Sequence, residues 1–276
     1  MGALVVRTRP IWLGAIAITA LLAGLVIVPS QARAAEATVG LGTAASYSVL
    51  GGQTVTNTGP SVLGGDLGVS PGTAITGFPP GVAGAIHAGD TQAAQAQLDV
   101  AIAYNDAASR APTSSVAGDL VGRTLTAGVY NSTSTLALTG TATLNAEGDP
   151  NAVFVFQIAT ALTTGSASHI NLINGAQPCN VFWKLDTATL GTNSTFVGTI
   201  LALTSISVQT GTTVEGRTLA RNGQVSLDTN TFTTPACNTS VTTTTTTAPP
   251  AASVAPTITP APAPPTPVAR QPSFTG

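Results

Sequence analysis

The sequence predicts a mainly β fold, a three-sided solenoid of short strands interrupted by one long helix. Three observations carry this. A phrase nearly repeats 18 residues later, threonine crowds a region almost without charge, and a single alanine-rich stretch breaks the β pattern. Thr195-Phe196-Val197-Gly198-Thr199-Ile200-Leu201-Ala202 and Thr213-Val214-Glu215-Gly216-Arg217-Thr218-Leu219-Ala220 share the frame T-x-x-G-x-x-L-A. Ile206–Thr212 is echoed by Val225–Thr231 at an offset of 19. A short fixed period signals stacked repeats. The repeating residues are β-branched or small and lack a helical stripe, so each unit is a coil of strands. Eighteen residues suit one turn of three sides, about five or six residues per side.

The β pattern begins with Tyr47–Leu50, Thr54–Thr56 and Asp66–Val69, punctuated by Pro71-Gly72 and Pro79-Pro80-Gly81. Asp90–Arg110 reads DTQAAQAQLDVAIAYNDAASR, with no Gly or Pro, a capping residue at its start and Pro112 beyond its end. It is a helix of about five turns. Ala94, Leu98, Ala101, Ile102 and Asn105 fall on one face, expected to cover an apolar side of the solenoid. From Ala117 to Thr234 the β pattern resumes. Phe154–Ile158 is answered 27 residues later by Val181–Leu185, one coil plus a loop over Asn171–Pro178, with the aromatics in the core.

The ends read differently. Arg7 and Arg9, the apolar run Ile11–Val28 and the A-x-A motif Ala32-Arg33-Ala34 make residues 1–34 a secretory signal peptide cut before Ala35. The alternative is an uncleaved membrane anchor, since the run is long enough to span. Residues 240–276 are dominated by Thr and Pro and cannot bury enough surface to offset their ordering entropy, so they form an extended disordered spacer suited to O-glycosylation. The closing Pro272-Ser273-Phe274-Thr275-Gly276 resembles a degraded cell-wall sorting signal, which makes the cell wall a candidate partner. Residues 35–239 are the folded domain, large enough for one core, and the chain is read as a secreted or extracellular monomer.

That domain holds 34 Thr, one Lys (Lys184) and four Arg (Arg110, Arg123, Arg217, Arg221). Six basic and 11 acidic residues follow the signal, a formal charge of −5. So few scattered cations exclude a nucleic-acid surface. Cys179 and Cys237 in a secreted chain are expected to form a disulfide, the alternative being two buried thiols. Without a nearby His they supply too few ligands for a metal, and no cofactor motif is present.

Several phrases taken together resemble the ice-binding proteins with a discontinuous β-solenoid. They are Thr54-Val55-Thr56-Asn57-Thr58-Gly59, Gly65-Asp66-Leu67-Gly68-Val69-Ser70-Pro71-Gly72, Gly148-Asp149-Pro150-Asn151-Ala152-Val153-Phe154, Asn180-Val181-Phe182-Trp183 and Phe196-Val197-Gly198-Thr199-Ile200-Leu201-Ala202, in order across residues 38–237. The resemblance implies a right-handed solenoid of three faces, a helix beside one, and another face exposed and flat that adsorbs ice through loose T-[AG]-x-[TN] phrases. Thr73-Ala74-Ile75-Thr76 and Thr210-Gly211-Thr212-Thr213 match fully. Thr139-Gly140-Thr141-Ala142 and Thr164-Gly165-Ser166-Ala167 fail at the last position; Gly191-Thr192-Asn193-Ser194 and Asp228-Thr229-Asn230-Thr231 are looser. The expected ice-binding residues are therefore Thr73, Thr76, Thr139, Thr141, Thr164, Ser166, Thr192, Ser194, Thr210, Thr212, Thr229 and Thr231.

The competing class is a cell-surface structural or adhesive module, for which the Thr/Pro spacer would hold the domain off a surface. A flat, uncharged face favours ice, and one interrupted by Glu215, Arg217 or Asp228 favours adhesion. Catalysis is not expected. Asp66, Asp119, Glu147, Asp149, Asp186, Glu215 and Asp228 are scattered among turns rather than paired. Asp66 and Asp119 share a G-D-L phrase that suggests equivalent turns, and His87 and His169 stand alone.

Overall fold

The computed structural model describes residues 36–235 together with Gly2 and Cys237. The signal peptide and the spacer fall outside the described residues. The boundary between the chain's two compact units lies between Asn238 and Thr239.

Every strand pairing is parallel, and the strands stack into a three-sided coil. One side, the helix face, runs through Ile86–Ala88, Asp66–Val69, Tyr47–Gly51, the second halves of Thr213–Ala220 and Thr195–Ala202, then Val181–Leu185, Phe154–Ile158, Gly128–Ser132 and Ser114–Ser115. The second, the open face, orders Ala74–Thr76, Thr54–Thr58, Val225–Asp228, Ile206–Val208, Thr187–Leu190, Ala161–Thr164, Leu136–Leu138 and Gly118–Asp119. The third face comprises Val62–Leu63, Thr231–Thr233, the first halves of the two long strands, His169–Ile173, Thr141–Asn145 and Thr124–Thr126. The 18-residue echo is a strand register, Thr195 opposite Thr213 through Ala202 opposite Ala220. Phe154 lies opposite Val181, as the longer interval requires. The extra length starts later than expected. Asn171 still belongs to strand His169–Ile173, and the excursion follows it, closing with the 3-10 turn Pro178–Asn180.

The stack is discontinuous. The first three coils climb away from strand Tyr47–Gly51, the helix carries the chain to the opposite end, and the remaining coils return until Val49 and Leu50 pair with Thr218 and Leu219. Asp66 and Asp119 are not equivalent, because the first lies on the helix face and the second on the open face.

Side chains alternate in and out along each strand. The inward ones build one core with an aromatic column: Tyr130 stacks on Phe156 (centroids 5.3 Å apart), Phe156 on Trp183 (3.9 Å), and Trp183 meets Phe196 (5.3 Å). The Trp183 indole N–H donates to the Val197 carbonyl at 3.0 Å and the Tyr130 hydroxyl to the Thr126 carbonyl at 2.6 Å, satisfying both polar atoms of the column. Thr218, like Thr199, is a weak point. It is fully buried between Val49 and Ile200, where the first strand meets the last coils, and its hydroxyl has no partner. A buried polar group without a partner costs about 1–3 kcal/mol. Thr218→Val keeps the shape and is expected to stabilise the domain by about 1–2 kcal/mol, raising Tm by about 2–8 °C. An unchanged or lower Tm by calorimetry would contradict this.

Helix α1 (Thr91–Ser109) starts where Asp90 accepts a hydrogen bond from the Ala93 N–H at 2.8 Å, an N-cap. That bond first, and His87 at 2.8 Å second, hold the Asp90 carboxyl below the usual range. The expected apolar face of the helix is not the docked one. Leu98 and Ile102 are 61% and 66% exposed, while Ala93, Ala96, Val100, Ala103, Tyr104 and Ala107 are buried. The solenoid supplies the bulk here, with Leu50, Val129, Val155, Phe182, Leu201 and Leu219 pointing outward. Alanine lets the helix axis approach them closely, and leucine would not. Gln97 donates to the carbonyls of Gly51 and Ala220, tying the helix to both sides of the junction. Gln157 reaches the carbonyls of Ala107 and Arg110 at the other end. Cys179 and Cys237 are disulfide-bonded, Cα atoms 5.7 Å apart, and fasten the end of the domain to the turn Pro178–Asn180.

Candidate functional site

The helix covers one side, leaving two. On the open face, one outward file crosses all eight strands in register: Thr76, Thr56, Ser226, Ser207, Thr189, Thr163, Ala137 and Asp119. Each of the central five hydroxyl residues sits one position along from an inward apolar anchor: Val55, Val225, Ile206, Ala188 and Leu162. Those anchors fix which side chains face out. Beside the file lie Thr54 opposite Ala74 and Thr187 opposite Ala161. Neighbouring coils stack about 4.7–4.9 Å apart, and alternate residues along a strand lie about 6.6 Å apart, so the hydroxyls and methyls form a two-dimensional grid. Threonine is stiff at χ1, which orders the grid in advance.

The third face is less regular. Its outward file is Val82, Val62, Thr231, Thr213, Thr195, His169 and Thr141. Exposed valines head it, and His169 and exposed Glu215 place titratable groups within it.

The expected site residues divide between these places. Thr76 heads the open-face file, with exposed Thr73 just before its strand. Thr139, Thr192 and Thr210 lie at the open face's border with the third face, Ser166 and Thr229 in the turn between the faces, and Thr141 and Thr231 on the third face. Thr164, Ser194 and Thr212 require correction, because all three are buried. Thr164 Oγ1 accepts from the Gly191 N–H and Thr212 Oγ1 donates to the Gly191 carbonyl, each at 2.8 Å. They satisfy backbone groups inside the corner and present nothing outward. The motif misplaces Ser194 and Thr212 because it spans a turn after which the in-out alternation restarts, and Thr164 because it ends strand Ala161–Thr164 at an inward position beside outward Thr163. The residues it missed, Thr56, Thr163, Thr189, Ser207 and Ser226, carry a plainer signal, a hydroxyl residue set between inward-facing partners as in Ala188-Thr189-Leu190, Ile206-Ser207-Val208 and Val225-Ser226-Leu227.

Of the three charges that could interrupt a flat face, Arg217 is buried on the helix face, where its Nε donates to the Ala45 carbonyl at 2.9 Å. Desolvation lowers its pKa. Glu215 is on the third face. Asp228 stands at the border of the open face in register with Thr58, accepting from the hydroxyls of Thr210 and Thr229. Asp119 is engaged similarly by Thr139. The Thr139 hydroxyl first, with backbone N–H groups of Val121, Thr139 and Leu120, holds the Asp119 carboxyl below its ordinary range. A depressed folded pKa contributes stability above the unfolded value of about 4 that is lost as pH falls through the folded value. The Tm of the native chain should therefore drop more steeply below about pH 4 than that of Thr139→Val, and parallel Tm curves would refute the link.

Among the described residues no cluster of His, Cys, Asp and Glu could hold a metal. A cavity of about 320 Å³ beside the start of α1 contains Tyr47, Asp66 and His87. Burial first, then the charges of Asp90 and Asp66, push the Tyr47 hydroxyl up to about 12, so it stays protonated. His87 does not stand alone, since its Nδ1 meets Asp90.

The profile of the Ice-binding-like family matches residues 49–233. This chain belongs to that family. An ice-binding protein of Nostoc sp. (strain HG1) is 54% identical over 205 residues, 73% of this chain and 76% of that one. A crystal structure of an ice-binding protein from an Antarctic biological consortium superposes with a TM-score of 0.71 at 46% identity, covering 72% of this chain and 92% of that one. That of an ice-binding protein from the Antarctic ascomycete Antarctomyces psychrotrophicus gives 0.69 at 42% identity, covering 70% and 97%. The discontinuous solenoid seen here is the architecture expected of the family, which is one of ice-binding proteins and not of enzymes.

Proposed function

We propose that this chain is a secreted ice-binding protein that adsorbs to ice through the open face and restrains crystal growth. The single observation that carries the reading is the file from Thr76 to Ala137, small and hydroxyl-rich, which runs uncharged across seven of the eight strands of the open face before it ends at Asp119. The naming of its relatives as ice-binding proteins supports it. A rigid grid of hydroxyls and methyls holds its first water layer in fixed places. Those waters join a growing lattice without being reordered. A charged side chain would instead impose its own tight hydration shell; on the open face Asp119 and Asp228 stand at the end and the border of the file, whereas the third face carries exposed Glu215 and is headed by exposed valines. Each contact is weak, yet a rigid array engages all of them at once, so adsorption is strong without any deep pocket. Residues 1–34 direct export, the domain occupies 35–239, and no cofactor or catalytic group takes part.

The test is thermal hysteresis and recrystallisation inhibition of the chain from Ala35 onward, with a fluorescent derivative frozen into a single ice hemisphere. Binding to defined ice planes and hysteresis that rises with concentration are expected. No hysteresis at high concentration of folded protein would end the ice reading and leave the adhesive or structural module.

A further inference from the structure

The cavity beside the start of α1 is built on three neighbouring strands. Tyr47 lies opposite Asp66, and His87 lies opposite Gly68, two residues farther along that strand. The 3-10 turn Gly42–Ser46 and the first turns of α1, with Gln92 and Gln95, complete its wall. All of this is on the helix face, away from the open face.

The wall is held in place by bonds of its own. Asp99 accepts from the Thr43 N–H and hydroxyl, each at 2.7 Å, which ties the turn to the helix. Asp66 takes the Ala85 N–H at 2.9 Å through one oxygen, and Asp90 holds His87 through Nδ1. A Cβ at Gly68 would stand 2.5 Å from the Tyr47 ring, so the missing side chain is what lets the ring lie across that strand.

One group in the wall is anomalous. Tyr47 is 3% exposed, yet its hydroxyl has no hydrogen-bond partner among the described residues. Buried tyrosine hydroxyls usually find one. The exposure it keeps is to the cavity. Its neighbours also have spare capacity, and this is mostly acceptor. The second oxygen of Asp66 receives no donor among the described residues. Gln95 spends an N–H on Asp99 at 3.1 Å and keeps its carbonyl oxygen. Ser46 donates its hydroxyl hydrogen to the Thr43 carbonyl and keeps its lone pairs. A ligand must therefore bring several donors, which excludes an anion. It must also bring an acceptor for the Tyr47 proton, which excludes an ammonium alone. It lies against the rings of Tyr47 and His87, whose centroids are 5.6 Å apart and whose planes are tilted by 56°. A sugar ring has this pattern, with hydroxyls at its rim and C–H groups on its faces. A volume of about 320 Å³ is at the small end of ligand sites, room for one ring rather than a chain.

We propose that this cavity binds a single neutral sugar unit, with Asp66 accepting from its hydroxyls and Tyr47 donating to them. The proposal is independent of the ice reading. The cavity stands on another side of the coil, so a sugar held there leaves the open face free.

The experiment is saturation-transfer NMR with a shift titration of the chain from Ala35 onward. The probes are D-glucose, D-galactose, D-mannose and N-acetylglucosamine, each to roughly 50 mM, above the Kd of about 1–10 mM expected from a few polar contacts. At least one should bind. Tyr47→Phe should weaken it about threefold to tenfold, the worth of one hydrogen bond. Its Tm should be equal to or above that of the native chain, because the hydroxyl it removes has no protein partner. Asp66→Asn keeps an acceptor for Ala85 and should weaken binding about tenfold or more, as a charge-assisted bond is lost. The trisaccharide of the bound sugar tells a chain end, bound as tightly as the monomer, from a free sugar, bound alone; either result upholds the site. No binding by any of the four, binding that both variants retain in full, or preferential binding of methylammonium would overturn the proposal. Hysteresis is not the readout, so failure here leaves the ice reading untouched, and failure of the ice reading leaves this test intact.

Discussion

Thr189→Tyr is expected to reduce thermal hysteresis by roughly tenfold or more while leaving the fold intact. Thr189 sits mid-file on the open face, half-buried between Thr163 and Ser207 of the flanking strands. A tyrosine there stands several ångströms above neighbours no larger than threonine, so the surface on either side is lifted off the crystal. Simultaneous engagement fails when geometry forbids it, and the loss exceeds that of the one contact removed. Stability should change little, because substitutions on a solvent-facing side usually fall within about 0.5 kcal/mol, about 1–2 °C in Tm for a domain of this size. The contrast is Thr212→Tyr. Thr212 is fully buried, so that variant should lose stability and, with it, activity. If Thr189→Tyr keeps full hysteresis with a native circular dichroism spectrum, the open face is not the ice-binding surface.

A large effect on stability is expected at the glycines of the repeated phrase. The strands Thr195–Ala202 and Thr213–Ala220 bend from the third face to the helix face at Gly198 and Gly216. A Cβ at Gly216 would lie 1.9 Å from the Gly198 carbonyl oxygen, and one at Gly198 would lie 2.6 Å from that of Val181. These obstacles are backbone and cannot swing aside, so the coils would have to separate. Gly216→Ala should cost about 3 kcal/mol, the upper range for overpacking, and lower Tm by about 6–12 °C. Gly122 is the control, with positive φ (72°) but nothing within 4 Å of an added Cβ. Gly122→Ala carries only the left-handed penalty of about 1–2 kcal/mol. Equal losses in the two variants would show that close approach is not what Gly216 serves.

Much of the architecture is legible in the sequence because stacking in register makes a repeat in space into a repeat in text. T-x-x-G-x-x-L-A announces two strands lying one on the other, and the glycine within it marks a corner. The helix is equally plain from its alanines and the Asp90 cap. Two matters are not local and stay hidden. Which face of α1 docks depends on the solenoid's outward Val155, Phe182 and Leu201, so the conspicuous Leu98 and Ile102 point to water and the alanines point in. The site is only partly legible for another reason. A T-G-x-T phrase crosses a turn that resets the alternation, which sends Ser194 and Thr212 inward, while Thr164 ends strand Ala161–Thr164 at an inward position before the turn. The apolar–hydroxyl–apolar triplets, which stay within one strand, keep their parity and mark Ser207 and Ser226 on the surface.

The pairing of Val49 with Thr218 has a consequence for how the molecule is made. A solenoid wound strictly in chain order could grow coil by coil as it emerges from synthesis. Here the opening strand has a permanent neighbour on one side, Asp66–Val69, but on the other it waits for almost the last coil. Until then its edge is unpaired, and the core between Val49 and Ile200 stays open. Closure over so long a loop is entropically slow, so assembly finishes only after the whole domain is available. A chain exported as a thread and folded afterwards meets that condition, whereas a chain cut short before Thr213 would leave two stacks joined through α1 alone.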